Sequence, residues 1–177
     1  LFDNGKPSVL CFWGSVGAMY MNKKMEEFIS ILSADGSFNL LQGAGKANFQ
    51  WMPHEIEEKG VDLKHSGNIR LMEYIYDMGK VMNACDLIIC RAGASTLAEV
   101  CAALPHDHIV DAGCGEGSYD KYLYETLGAP QIVGFDLSKE TVRLASKLLP
   151  GAAFCVGGSF CAPVRDGWAD LLLNIFS

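Results

Sequence analysis

The sequence predicts an α/β fold, doubly wound about a mainly parallel sheet. Three observations predict it. Short apolar runs alternate with amphipathic segments through most of the chain. Those runs are apolar throughout rather than alternating, as in strands covered on both faces. The glycine turns and helix caps follow the runs, as they do when each strand feeds a crossover helix.

SVLCFW (8–13) is the first strand, closed by GSVG. Met21, Met25, Phe28, Ile29 and Leu32 then fall at helical spacing. FNLL (38–41) is a second strand, and residues 48–59 read as one helix with Pro53 near its first turn. IRLMEY (69–74) is the third strand, residues 77–84 a short helix, and LIIC (87–90) a fully buried fourth strand. Ser95 is placed to cap a helix over 96–103. After a loop at 104–107, HIVDA (108–112) is the fifth strand, and GCGEG turns into a helix over 119–127. QIVGFD (131–136) is the sixth. Ser138 can cap the helix 139–149, AFCV (153–156) is the seventh strand and ADLLLNIF (169–176) the eighth.

A chain of 177 residues suits one domain or two very small ones. Half of it is hydrophobic and a fifth charged, the balance of a globular protein. The net charge of −7 speaks against a protein held on nucleic acid by a broad basic surface. The seven cysteines are odd in number, include no CxxC pair and sit mostly in strand-like runs. They read as buried thiols of a reducing, cytoplasmic compartment. No apolar run approaches the ~20 residues of a bilayer span, and no signal peptide is evident. The chain begins without Met and stops after an apolar run, as if cut from something longer.

Two turn-and-helix signatures carry the chemistry. In the first, GSVGA (14–18) follows a strand and opens a helix, where free N–H groups attract phosphate. In RAGASTLAE (91–99), Thr96 offers a hydroxyl at a helix start, and Glu99, about one turn on, can accept two ribose hydroxyl protons. FWGSVGA with YIYDMGKVMNACDLIICRAGASTLAEV resembles the carboxyl-terminal domain of the MurG-type N-acetylglucosaminyltransferases, over about residues 7 to 104. The resemblance implies a GT-B, family 28 half that binds UDP-N-acetylglucosamine. Gly14, Ser15, Gly17 and Ala18 would then lie by the diphosphate, Ile75 at the uracil, Thr96 near phosphate and Glu99 at the ribose. Trp13 stands where that family usually has glycine, and the strand and sugar-holding loop that follow Glu99 in the family are absent.

In the second signature, HIVDAGCGEGSY (108–119), an acidic residue ends a strand and GxGxG leads into a helix. Asp111 can orient a cationic amino-acid moiety, and Asp136, about twenty residues after the turn, can take both ribose hydroxyls. A dinucleotide site would favour GxGxxG, so the pattern points to S-adenosylmethionine. DAGCGEGSY, GFDLSKETVRLASK and FCVGGSFCAPVRDGWADLLLNIFS resemble, in order and spacing, the large-subunit rRNA guanine methyltransferase family. By that resemblance Asp111, Gly113, Gly115 and Gly117 form the cofactor turn. Asp136 and Leu137 flank ribose and adenine, Gly158, Ser159 and Phe160 border the adenine, and NIFS (174–177), beginning at Asn174, lies near the reacting methyl group. The family's zinc module and everything beyond NIFS (174–177) are absent.

The rest is weaker. His106 and His108 share a face but lack a third ligand, so no metal is expected. KKMEE (23–27) reads as the solvated face of a helix, and Cys114 as a packing residue rather than a nucleophile. No catalytic residue is identified.

The two patterns meet in the helix-to-strand loop near Leu104 to His108. The expected architecture is a Rossmann-like hybrid of a UDP-sugar-binding half (1–104) and an S-adenosylmethionine-binding half (105–177). The second half's first strand would continue the first half's sheet. Unpaired sheet edges would offer a route to a homo-oligomer. Three readings stay open: a transferase-derived binding protein without full catalysis, an active rRNA methyltransferase completed by a partner, and a structural hybrid without ligand.

Overall fold

The computed structural model describes residues 2–14, 17–91, 94–128, 131–158 and 162–174. Among them are eight strands and seven helices. They divide into two compact units, Leu1–Thr96 and Leu97–Ser177.

The first unit contains β1 (Ser8–Phe12), α1 (Met19–Asp35), β2 (Asn39–Gly43), α2 (Lys46–Phe49), α3 (Met52–Glu58), β3 (Ile69–Met72), α4 (Met78–Asn83) and β4 (Leu87–Cys90). Its sheet has the order β3-β2-β1-β4, and every pairing is parallel. The central strands β1 and β2 are buried at every residue, as their apolar runs require. β4 differs from expectation: Leu87 is 52% exposed and Ile89 40%. The reason is position, because β4 is an edge strand bonded only to β1.

α1 lays Met25, Ile29 and Leu32 into the core and ends at Gly36, whose left-handed conformation lets its N–H reach the Leu32 carbonyl. Asn22 ties this helix to the end of β2. Its Nδ2 donates to the Ala44 carbonyl at 2.8 Å, and its Oδ1 accepts from Gln42 Nε2 at 3.2 Å. Glu26 is not on a solvated face but buried, and it pairs with Lys23 and Lys59. Burial alone would raise its carboxyl, yet the hydrogen bonds from Lys59 and Lys23 prevail and hold it below the usual range.

The single helix expected over 48–59 is two. Pro53 sits in the first turn of α3, and α2 ends at Phe49, four residues before it. Proline has no N–H for the Phe49 carbonyl, and its ring crowds that carbonyl, so the helix cannot run through.

α5 (Ala94–Ala103) spans the division between the units. It begins at Ala94, so Ser95 lies inside the helix rather than before it. The second unit continues with β5 (His108–Ala112), α6 (Ser118–Leu127), β6 (Gln131–Asp136), α7 (Lys139–Leu148), β7 (Ala153–Val156) and β8 (Leu171–Leu173). β8 is shorter than the run that suggested it. Ser138 caps α7 as expected, accepting from the Thr141 N–H.

The order here is β7-β6-β5-β8, again all parallel. The eight strands therefore form two sheets, and β5 does not extend the first. Its two edges are taken by β6 and β8, which leaves none for β4.

Both sheets reverse direction in the same way. Winding runs outward from β1 to β3 and then returns to the other side of β1 at β4. It runs outward from β5 to β7 and returns beside β5 at β8. The crevice outside the carboxyl ends of such a pair is where open α/β sheets place ligands. In the second unit that point lies between the turn after β5 and Asn174 after β8.

Candidate functional site

β5 carries Asp111 into the middle of its sheet, opposite Gly134 on β6 and Leu173 on β8. The chain then bends sharply. The N–H groups of Gly113 and Cys114 both donate to the Phe135 carbonyl, at 2.8 and 3.1 Å, and Gly117 N–H donates to the Cys114 carbonyl. Gly113 (φ 87°) and Gly115 (φ 54°) hold left-handed conformations that side chains disfavour.

Their surroundings are open. Among the described residues, nothing lies within 4 Å of where a Cβ on Gly115 would stand, and on Gly113 only Asn174 Oδ1 comes near, at 4.0 Å. The next glycines serve packing instead. A Cβ on Gly117 would lie 3.0 Å from Ala145 Cβ of α7, and one on Gly134 would lie 2.6 Å from the Phe154 ring and 2.9 Å from Cys114 Cβ. The bend is thus packed from beneath and bare above.

Asp136, at the end of β6, locks this bend to the start of α7. Its Oδ2 accepts from the Gly115 N–H at 3.1 Å and its Oδ1 from the Ser138 N–H at 2.8 Å. A carboxylate has about four acceptor positions, so two remain for other donors. The next residue, Leu137, is 82% exposed, an apolar side chain left against solvent beside the bend. A Cβ on Gly158 would touch it at 3.2 Å. Ser159 and Phe160, expected at the same place, lie outside the described residues.

A further acid, Asp120, stands in the first turn of α6 and is completely buried. Among the described residues, neither of its oxygens has a hydrogen-bond donor, nor has Oδ1 of Asp111, which is 1% exposed. Burial pushes both carboxyls up, and for Asp111 the charges of Asp120 and Asp136 push the same way. Burial, and then the same three acids, raise the Cys114 thiol to about 12, which leaves it inert as a nucleophile.

In the first unit, Gly14 (φ 85°) has open space where a Cβ would be, and Ala18 is the extended N-cap of α1. Gly17 (φ 79°) does not border open space. A Cβ there would overlap the Ala44 carbonyl and approach Asn48 Nδ2 at 2.6 Å, so its role is close passage over the loop after β2. Ile75 is buried, and its Cδ1 stands 3.0 Å from the Cβ position of Gly43. Thr96 is half-buried and Glu99 exposed, on either side of the division between the units. Ser15 lies outside the described residues. Trp13, in place of the expected glycine, is a core residue whose buried Nε1 has no acceptor.

Residues 8–106 match the family model of the glycosyltransferase family 28 C-terminal domain. The chain belongs to that family. Residues 110–177 match a second model, a methyltransferase domain. The family 28 part is similar to the UDP-N-acetylglucosamine--N-acetylmuramyl-(pentapeptide) pyrophosphoryl-undecaprenol N-acetylglucosamine transferase of Desulforamulus reducens. That protein is 38% identical over 97 residues, which are 55% of this chain and 26% of the relative. The protein of the same description from Moorella thermoacetica is 37% identical over 126 residues, 68% of this chain and 33% of the relative. The chain spans about a quarter to a third of the length of these relatives. Among solved structures, MurG of Acinetobacter baumannii is similar at 21% identity and TM-score 0.45, covering 86% of this chain and 36% of that one. An S-adenosylmethionine dependent methyltransferase from Mesorhizobium loti is similar at 28% identity and TM-score 0.38, covering 46% and 41%.

Within the methyltransferase part the fold gathers Asp111, Gly113, Gly115, Asp136, Leu137 and Asn174 about one bend. Within the family 28 part it sets Gly14, Gly17 and Ala18 at the start of α1. Sequence reasoning missed Asp120; the available signal was an acid in the first turn of the helix that leaves the glycine bend. His106 Nδ1 bonds the Leu104 carbonyl, and His108 Nδ1 bonds Asp170 Oδ2 at 3.0 Å. Among the described residues no three His, Cys, Asp or Glu side chains are placed to hold a metal. None of their helices is long and apolar enough to cross a membrane.

Proposed function

We propose that the chain is a transferase-derived binding protein whose methyltransferase part holds S-adenosylmethionine and whose family 28 part holds UDP-N-acetylglucosamine. The supporting observation is the bare bend at Gly113 and Gly115, at the reversal point between β5 and β8. The residues present suit the cofactor. The bend lets its amino-acid part lie against main chain, over the unsatisfied acid Asp111. Asp136 has acceptor capacity left for ribose hydroxyls, and exposed Leu137 offers an apolar surface to adenine. Bound there, S-adenosylmethionine would supply a methyl group on a cationic sulfonium. For the nucleotide sugar, the support is family 28 membership and the N-terminus of α1 beside Gly14, which favours a diphosphate. Thr96 and Ile75 are carried into this reading by resemblance.

Titration calorimetry with each ligand tests the proposal. S-adenosylmethionine is expected to bind at millimolar concentration or below. Asp136→Ala should weaken it about tenfold or more, since a hydrogen bond to a charged group contributes ~1.5–3 kcal/mol. UDP-N-acetylglucosamine affinity should be unchanged by that substitution. If neither ligand binds at millimolar concentration, the chain is a structural hybrid and the proposal fails.

A further inference from the structure

We propose that Asp111 and Asp120 share a single proton beneath the bend, and that this proton leaves when a cationic ligand group settles above it. The second half rests on the reading of the bend as an S-adenosylmethionine site. The first half does not.

Asp111 comes from the end of β5 and Asp120 from the first turn of α6, and both are buried. Three of their four oxygens lack any donor. The two side chains lie within hydrogen-bonding reach of one another, and two ionised carboxylates cannot remain so in a low-dielectric interior. A proton held by one and donated to the other removes a charge and satisfies an acceptor in one step.

Among the described residues, the groups of neighbouring elements that bear on the pair add no cation. β6 contributes Asp136, whose carboxylate is already engaged by two N–H groups. The bend contributes the Cys114 thiol. The basic side chains of α6 and α7 lie outward: Lys121 pairs with Glu125, Arg143 with Glu140, and Lys139 and Lys147 are exposed.

Within the pair, Asp120 is the better home for the negative charge, because the N-terminal turn of α6 favours an anion. Asp111 carries the proton more of the time, facing Asp136 as well. Titration belongs to the pair rather than to either acid. An ammonium over Gly113 would stabilise the doubly ionised pair, so the proton would pass to solvent base as the ligand binds.

Two measurements decide it, both on the full chain. Carbon-13 NMR of aspartate carboxyls in the ligand-free protein should show one carboxyl of the pair still protonated at neutral pH. In Asp120→Asn, and separately in Asp111→Asn, the surviving acid should titrate at lower pH. If both carboxyls of the unsubstituted chain ionise in the ordinary range, the shared proton is refuted, whatever the variants do. Calorimetry with S-adenosylmethionine in buffers of different ionisation enthalpy should then show about one proton released per ligand at pH 7, and close to none in Asp120→Asn. Binding without proton release overturns the coupling. Absence of binding overturns the S-adenosylmethionine part of the proposed function and this second half, while the carboxyl titration still decides the first.

Discussion

At the scale of single residues, Gly134 shows how narrow the tolerance is beneath the bend. Its missing Cβ is the space that the Phe154 ring and Cys114 occupy. Gly134→Ala should destabilise the second unit by about 1–3 kcal/mol through overpacking, read as a lower denaturation midpoint with unchanged slope. Gly115→Ala, with open space around it, should carry only the smaller cost of a left-handed alanine, ~1 kcal/mol. The glycine spacing made the bend legible, because few other residues accept that backbone. Asp120 was not legible. A carboxylate in a first helical turn reads as a solvated end charge, and only the seating of α6 on its sheet buries it. Glu26 misled for the same reason: KKMEE looks like a wet surface until Lys59, from a distant segment, closes over it.

At the scale of elements, the β5–α6 connection should make stability depend on pH. Both acids titrate higher in the folded chain than the ~3.9 of a free aspartate. Their folded form therefore holds a proton that the unfolded chain releases. The favourable contribution is complete below about pH 4 and is lost as pH rises through the neutral range. The second unit's resistance to denaturant should accordingly fall between pH 5 and pH 8.5, and Asp120→Asn should flatten that slope. A midpoint that rises with pH over this range would contradict it. Element types were largely legible, and of the two expected caps Ser138 was found while Ser95 was not. Element environment was not. LIIC is as apolar as any central strand, yet its exposure follows from having one neighbour rather than two, and an isolated run does not state its neighbours. The division of the 48–59 helix was within reach, since Pro53 names the carbonyl it cannot serve.

At the scale of the whole molecule, each unit has its own four-stranded parallel sheet. Calorimetric unfolding should show two transitions, and S-adenosylmethionine should raise only one, by the usual mass-action stabilisation. A single transition shifted by either ligand would mean that the units unfold together. Alternation of strand and helix made the α/β class legible. It did not reveal one sheet or two, because β5 would look the same as a fifth strand of the first sheet or as the centre of a second. What separates these outcomes is the run LLL (171–173), far along the chain, which takes the edge that β4 would have needed.

That β5 is flanked on both sides within its own sheet has a practical corollary. No strand register is negotiated across the helix-to-strand loop at 104–107. A chain cut at that loop should therefore leave every strand on either side of the cut with the partners it has now.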